Sequence, residues 1–288
     1  MTRDWEATFK NWAQPPGKTE QAKCNNAVQV IRNAIDKSPN LNQRSTTVFP
    51  QGSYRNRTNV RTESDVDICV LCTDTFFYKL PDGVEPDDFG IIPSSYSYFD
   101  YKNDVEDALV TYLGWEAVTR GNKAFDVHEN TYRVDADVVA CFEYRRYRRN
   151  GNYTKGVAFN TDQKRRIVNW PEQNYENGVT KNNATGRRFK ALVRILKQLR
   201  NEMADTTPSY LIESLVWNVH NIGFGNETYT ADVRYALAHL WDNTRSFDNC
   251  KEWGEINELK YLFRDSQPWT REQANTFLYD AWNYVGFE

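Results

Sequence analysis

Apolar positions along the chain change their period near its middle. In "NNAVQVIRNAI", residues Ala27, Val28, Val30, Ile31, Ala34 and Ile35 form a stripe that predicts a helix, ended by "SPNLNQ". "TTVFPQGSY" reads as a short strand running into a turn, and Asp65–Thr73 as a second strand. "LPDGVEPDDFG" is loop, and Asp104–Gly114 is a helix stopped by Gly114. "KAFDVHENTYRVDADVVACFEYRRY" predicts two strands around a turn at His128–Thr131. Past about Gly156, "GRRFKALVRILKQLRNEM", "PSYLIESLVWNVHNIG", "TADVRYALAHLWDNTRSF" and "TREQANTFLYDAWNYVG" all carry helical spacing. The pattern predicts an α/β first part, 1–158, with an N-terminal helix. A helical second part, 159–288, follows. There is no internal repeat and no low-complexity segment.

The alternation places chemistry on the second strand. Residues two apart on a strand share a face, so Asp65 and Asp67 point one way and Val66, Ile68 and Val70 the other. Adjacent carboxylates repel unless a cation joins them, and hard divalent cations take oxygen ligands. In "YRVDADVVACFEY", Asp135 and Asp137 share a face in the same way, opposite Val134, Ala136 and Val138. One of them, brought in from a neighbouring strand, would complete a two-ion site. Such sites hold ions about 3.5–4 Å apart and stabilise both oxygens of an in-line phosphoryl displacement. Gly52-Ser53, ahead of the first pair, suits a turn whose amides and hydroxyl grip a phosphate.

Composition narrows the classes. A chain of 288 residues with 40% hydrophobic and 14% aromatic residues can bury a sizeable core. No apolar run is long enough for a membrane span, and "MTRDWEATFKNWAQPPGK" has no apolar leader, so a cytoplasmic protein is expected. Five scattered cysteines fit reduced thiols, and Cys69 and Cys72 read as core residues of one strand rather than a metal pair. A net charge of −3 argues against strong duplex-DNA binding. Positive charge is local, at Tyr144–Gly156 and Arg187–Arg200, which suits a small anionic ligand. Arg145, Arg146, Arg148 and Arg149 read as a solvated hairpin, and His128, His220 and His239 are isolated. Lys190, Arg194 and Lys197 share a helix face, either solvated or holding triphosphate oxygens, with Lys190 the foremost candidate.

"GSYRNRTNVRTESDVDICVL" followed by "VDADVVACFEYRRY" resembles the polymerase-β-type nucleotidyltransferases, and among them the bacterial CD-NTases, relatives of cyclic GMP–AMP synthase and oligoadenylate synthase. The resemblance covers the catalytic core and extends into the helical half. It implies a polymerase-β-like core, a mixed sheet with helices, plus a C-terminal helical lobe, with the active site in the cleft between them. It implies two Mg²⁺ ions, replaceable by Mn²⁺, on Asp65, Asp67 and Asp137, and it chooses Asp137 over Asp135. Gly52 and Ser53 become the phosphate-binding turn. Ser209 touches the triphosphate and Tyr210 stacks on a base, its ring face carrying the contact, so that Tyr210→Phe should be mild. Asn169 falls where related enzymes bring polar groups near the base. The implied activity joins NTPs into a cyclic di- or oligonucleotide that activates a separate effector in bacterial anti-phage signalling, from a monomeric enzyme. The alternatives are transfer of a nucleotide to a macromolecule or small molecule, and an inactive nucleotide-binding module. Two departures follow. No zinc-ribbon motif for sensing long DNA is present, and "WNYVGFE" ends in acid, against processing by a ubiquitin-like partner.

Overall fold

The computed structural model describes residues 3–60 and 65–287, so the terminal Glu288 lies outside it. The chain divides into two compact units. The sheet unit is Gly17–Arg55 with Ser64–Glu172, and the helical unit is Met1–Pro16, Asn56–Glu63 and Gln173–Glu288.

In the sheet unit, α2 (Lys18–Asp36) buries Ala27, Val28, Ile31, Ala34 and Ile35 as the stripe predicts. The strands are β1 (Thr46–Pro50), β2 (Val66–Lys79), β3 (Val118–Arg120), β4 (Phe125–Val127), β5 (Ala136–Tyr147), β6 (Tyr153–Asn160) and β7 (Arg166–Asn169). The sheet is mixed: its main order is β1-β2-β5-β4-β3, with β6 on β5 and β7 on β6. β2 and β5 pair in parallel, and the other neighbours are antiparallel. Helix α4 (Tyr98–Leu113) begins six residues ahead of the predicted helix, because Ser97 and Asp100 form a capping box. Its Tyr98 and Tyr101 hydroxyls donate to the carbonyls of Ala140 and Val70 at 2.9 and 2.8 Å. The helix is thereby fastened to β5 and β2, with each buried phenol satisfied. Cys69 and Cys72 are both buried and unbridged. The hairpin of β6 and β7 was not expected. Its strands are short, and Gly156 interrupts the alternation because a Cβ there would stand 2.7 Å from the Trp170 ring. A boundary at 158 therefore falls within β6.

The helical unit holds α1 (Trp5–Trp12), α6 (Arg188–Glu202), α7 (Ser209–Trp217), α8 (Tyr229–Thr244), α9 (Phe247–Cys250) and α10 (Arg271–Val285). The short α3 (Gly52–Asn56) and α5 (Pro171–Ala184) carry the chain from one unit's residues to the other's. Helix α6 is buried all round: Phe189, Leu192, Val193, Ile195, Leu196 and Leu199 lie in the core, and Lys190, Arg194 and Lys197 are buried as well. Lys197, wholly buried, bonds Glu213 at 2.6 Å, and Thr58 donates to the same oxygen at 2.8 Å. Among the described residues no helix is long and apolar enough to cross a membrane.

A buried ion pair that loses one partner leaves an uncompensated charge, at a cost of about 3–5 kcal/mol. Lys197→Met should lower the unfolding free energy by that order. Adding Glu213→Leu should recover part of the loss, since two apolar side chains can replace the pair. Urea denaturation of the three proteins is the check, and a single variant as stable as the parent would contradict the assigned burial.

Candidate active site

The site grows from the pairing of β2 with β5. Asp67 lies at the position paired with Asp137, and across the next strand Asp126 is paired with Asp137 too. Three carboxylates thus occupy one row over β2, β5 and β4. Neighbouring strands are about 4.8 Å apart, so the charges crowd one another. Partial burial first, then the charges of Asp126 and Asp65 and a hydrogen bond with Asp126, push the Asp137 carboxyl above its usual range. Asp65 stands one residue ahead of β2. Asp135 stands one residue ahead of β5, and its carboxylate accepts the Glu129 amide at 2.6 Å. That bond ties Asp135 to the turn that leads into the strand.

Sequence reasoning passed over Asp126. Its signal was present in "FDV", where Asp126 is exposed between buried Phe125 and Val127.

Gly52 begins α3 with φ +61, a left-handed value that suits glycine. A Cβ at Gly52 would lie 2.0 Å from Asp67 Oδ2. The turn therefore presses its bare backbone against the aspartate. The Gln51 amide donates to the Asp67 carbonyl at 2.8 Å, which fixes this approach. Ser53 follows as the second residue of the helix, so the predicted phosphate turn is a strand-to-helix junction. The candidate ligands Asp65, Asp67 and Asp137 offer carboxylate oxygens, the chemistry that a hard cation takes. Among the described residues no three acidic, histidine or cysteine side chains are gathered closely enough to hold a metal ion. The backbone register is the part of such a centre that this structure carries.

Asn169 ends β7 in the sheet unit, half-buried and paired with Val157. The remaining candidates belong to the helical unit. Arg194 is not exposed to a ligand: its guanidinium donates to the carbonyls of Ala13 and Arg57. Burial lowers its pKa to about 10. Lys197 is committed to Glu213. The shared face of the three cations is thus neither solvated nor an open anion cradle, because backbone carbonyls and a carboxylate consume two of them. Lys190 remains. Its ammonium has no hydrogen-bonding partner among the described residues and lies 5.7 Å from the Tyr175 ring centroid. Burial and the Arg194 and Arg57 charges lower its pKa.

Ser209 opens α7 and accepts from Arg200 at 2.8 Å. Tyr210 packs beside Trp269, with centroids 6.2 Å apart. Its hydroxyl lies 2.9 Å from Asn174 Oδ1 and 3.1 Å from Glu255 Oε2, and accepts from Asn257 at 3.0 Å. The hydroxyl, which base stacking by the ring leaves without a task, is the hub of a polar network.

The profile of the cGAS/DncV-like nucleotidyltransferase C-terminal helical domain matches residues 176–286. The chain is 43% identical to the cyclic dipyrimidine nucleotide synthase CdnE of Cecembia lonarensis over 295 aligned residues, covering 100% of both. It is 44% identical to the synthase of the same name from Legionella pneumophila, over 99% of each. The structure of Rhodothermus marinus CdnE c-UMP-AMP synthase with Apcpp and Upnpp superposes with a TM-score of 0.85 at 31% identity, covering 98% of this chain and 97% of that one.

Two outcomes follow from the geometry. Gly52→Ala must displace Asp67 or the turn, and a misplacement near 1 Å can cost on the order of a hundredfold in kcat. A turnover assay beside a melting curve checks this, and near-normal turnover would show that the contact is dispensable. A carboxyl raised in the folded state favours the fold below its ordinary pKa of 3.8, and that contribution is lost as the pH climbs through the raised value. Asp137→Asn, kept with a chelator, should therefore melt higher than the parent at pH 7, and the two should converge towards pH 3.

Proposed function

The chain belongs to the bacterial CD-NTase family, and from that premise we propose that this nucleotidyltransferase joins pyrimidine NTPs into a cyclic dinucleotide. The pairing of Asp67 with Asp137 carries the chemistry. The pyrimidine assignment rests on the two full-length relatives described above, both dipyrimidine synthases.

Asp65, Asp67 and Asp137 would hold two Mg²⁺ ions. Bound there, the ions would activate the attacking hydroxyl and neutralise charge on the phosphates. The chain's own groups do the rest. Gly52 and Ser53 hold the triphosphate by amide and hydroxyl, and Lys190 supplies a cation for its oxygens. Ser209 contacts the phosphates and Tyr210 carries a base. The Asn169 carboxamide, with one donor side and one acceptor side, matches the edge of a pyrimidine. A ribose hydroxyl of one nucleotide attacks the α-phosphorus of the other. The new P–O bond forms as the bond to pyrophosphate breaks, and the hydroxyl proton passes to water. A second displacement of the same kind closes the ring and releases a second pyrophosphate. The product signals to a separate effector in anti-phage defence.

The test is incubation of the purified protein with labelled CTP, UTP, ATP and GTP and Mg²⁺, followed by phosphatase. A phosphatase-resistant product labelled from CTP or UTP is expected. Linear products, whose terminal phosphates the phosphatase removes, would show joining without ring closure, and no product from NTPs alone would point to transfer onto an absent acceptor or to an inactive module. Asp65→Asn with Asp67→Asn, or a chelator, should abolish synthesis while the fold persists. Asp137→Ala should do the same, whereas Asp135→Ala should mainly lower the melting temperature, because its carboxylate serves the turn. Plain duplex DNA should change the rate little at a net charge of −3.

A further inference from the structure

Glu255 is 3% exposed, yet no cation is paired with it among the described residues. Its Oε1 accepts from Gln267 at 2.7 Å, and its Oε2 from Asn257 at 2.6 Å and from the Tyr210 phenol at 3.1 Å. A buried carboxylate satisfied only by neutral donors is costly compared with an amide or apolar group of the same size. Its distinctive property is that it accepts only, so every neighbour must turn a donor towards it. The phenol has one proton, and of the oxygens within reach the carboxylate is the stronger acceptor. Glu255 therefore fixes which way the Tyr210 hydroxyl points.

The segment that carries Glu255 is itself braced. Gly254 and Tyr261 form an isolated bridge, and the Glu255 amide donates to the Lys260 carbonyl at 2.9 Å. Asn218, the C-cap of α7, donates to the Gly254 carbonyl at 2.8 Å. Asn177 of α5 donates to the Ile256 carbonyl at 2.7 Å. The loop thus meets α7 at both ends, through Asn218 at its C-terminus and Tyr210 in its first turn.

We infer that Glu255 is the positioning residue for Tyr210, holding its ring in the one orientation in which it receives a nucleobase of the NTP. The inference rests on the reading of Tyr210 as that platform. Together with Asn257, whose amide the phenol accepts, the carboxylate locks the polar end of the ring while Trp269 packs against its apolar part. A base then meets a surface already ordered, and binding loses less conformational freedom.

The experiment is a double-mutant cycle on the full chain with parent, Glu255→Gln, Tyr210→Phe and the double variant. KM and kcat for the NTPs, the affinity for a non-hydrolysable NTP, and melting temperatures are measured. Glu255→Gln should raise KM and the dissociation constant on the order of tenfold while saturated kcat changes far less. Tyr210→Phe should do about the same, and the double variant should be no worse than either single one, since both cut the same link. Additive losses, or an unchanged KM in Glu255→Gln, overturn the assignment. If Glu255→Gln does not fold, Tyr210→Phe alone decides, since it keeps the ring and its Trp269 contact and loses only the anchors. Normal NTP affinity in Tyr210→Phe overturns the inference. Tyr210→Ala separates the two readings. If it binds NTP normally, the platform itself is refuted; if it binds weakly while Tyr210→Phe is normal, only the part given to Glu255 fails.

Discussion

Asp67 and Asp137 are neighbours because β2 and β5 pair in parallel, and that pairing works against their charges. Carboxylates one strand spacing apart, about 5 Å, repel by roughly 1–3 kcal/mol, depending on how much water screens them, and on Asp137 the repulsion comes chiefly from Asp126 and Asp65. The opposite face of the same strands supplies the opposing force. Val66, Ile68, Val70, Ala136, Val138 and Ala140 are all buried there. Fully burying one large aliphatic side chain contributes about 1.5–3 kcal/mol, so four Val and Ile side chains outweigh the repulsion of the row. The Tyr98 and Tyr101 bonds to Ala140 and Val70 fasten α4 over that apolar face. The rest of the sheet unit can be read as support for this one register, because a slip by one residue would send the aspartates into the core and turn Val66 and Val138 to the side the aspartates now occupy.

Much of this was legible because period-2 alternation is a local property. Asp65, Val66, Asp67 and Ile68 declare their faces within four residues, and Gly52-Ser53 sits close by in the chain. What could not be read was partnership. The second aspartate pair, Asp135 and Asp137, looks symmetrical in sequence. The structure separates the two by a contact six residues upstream, where Glu129 donates to Asp135. Family resemblance, not spacing, had favoured Asp137. The β6–β7 hairpin stayed hidden because Gly156 breaks the alternation for a tertiary reason, the Trp170 ring against its backbone.

Helix α6 shows the limit more sharply. Lys190, Arg194 and Lys197 have the spacing of a cationic face, and that spacing is the same for solvent, for a ligand or for buried partners. What decides among these lies far off in sequence: Glu213 for Lys197, and the Ala13 and Arg57 carbonyls for Arg194. Of the three, Lys190 alone keeps an ammonium without a hydrogen-bonding partner among the described residues. The helix is better understood as a core element that pays for two buried cations with designated acceptors than as a basic surface.

Those acceptors place a constraint on the loop that joins the two chemical motifs. Arg57 and Thr58 lie in the stretch that follows Gly52-Ser53 and precedes Asp65, and they belong to the helical unit, bonding Arg194 and Lys197's partner Glu213. The turn before them and the aspartates after them belong to the sheet unit. The connection is therefore not a passive spacer. It has to satisfy buried charges in one unit while its flanks set the approach of Gly52 to Asp67 in the other. A substitution at Arg194 or Lys197 that lowers turnover would then be ambiguous on its own, since loss of an anchor for residues 57 and 58 can disturb the turn without any contact to a phosphate. Lys190 is free of that ambiguity, because none of the loop's described residues accepts a hydrogen bond from its head group, and it is the one of the three cations whose replacement tests a ligand contact without removing such an anchor.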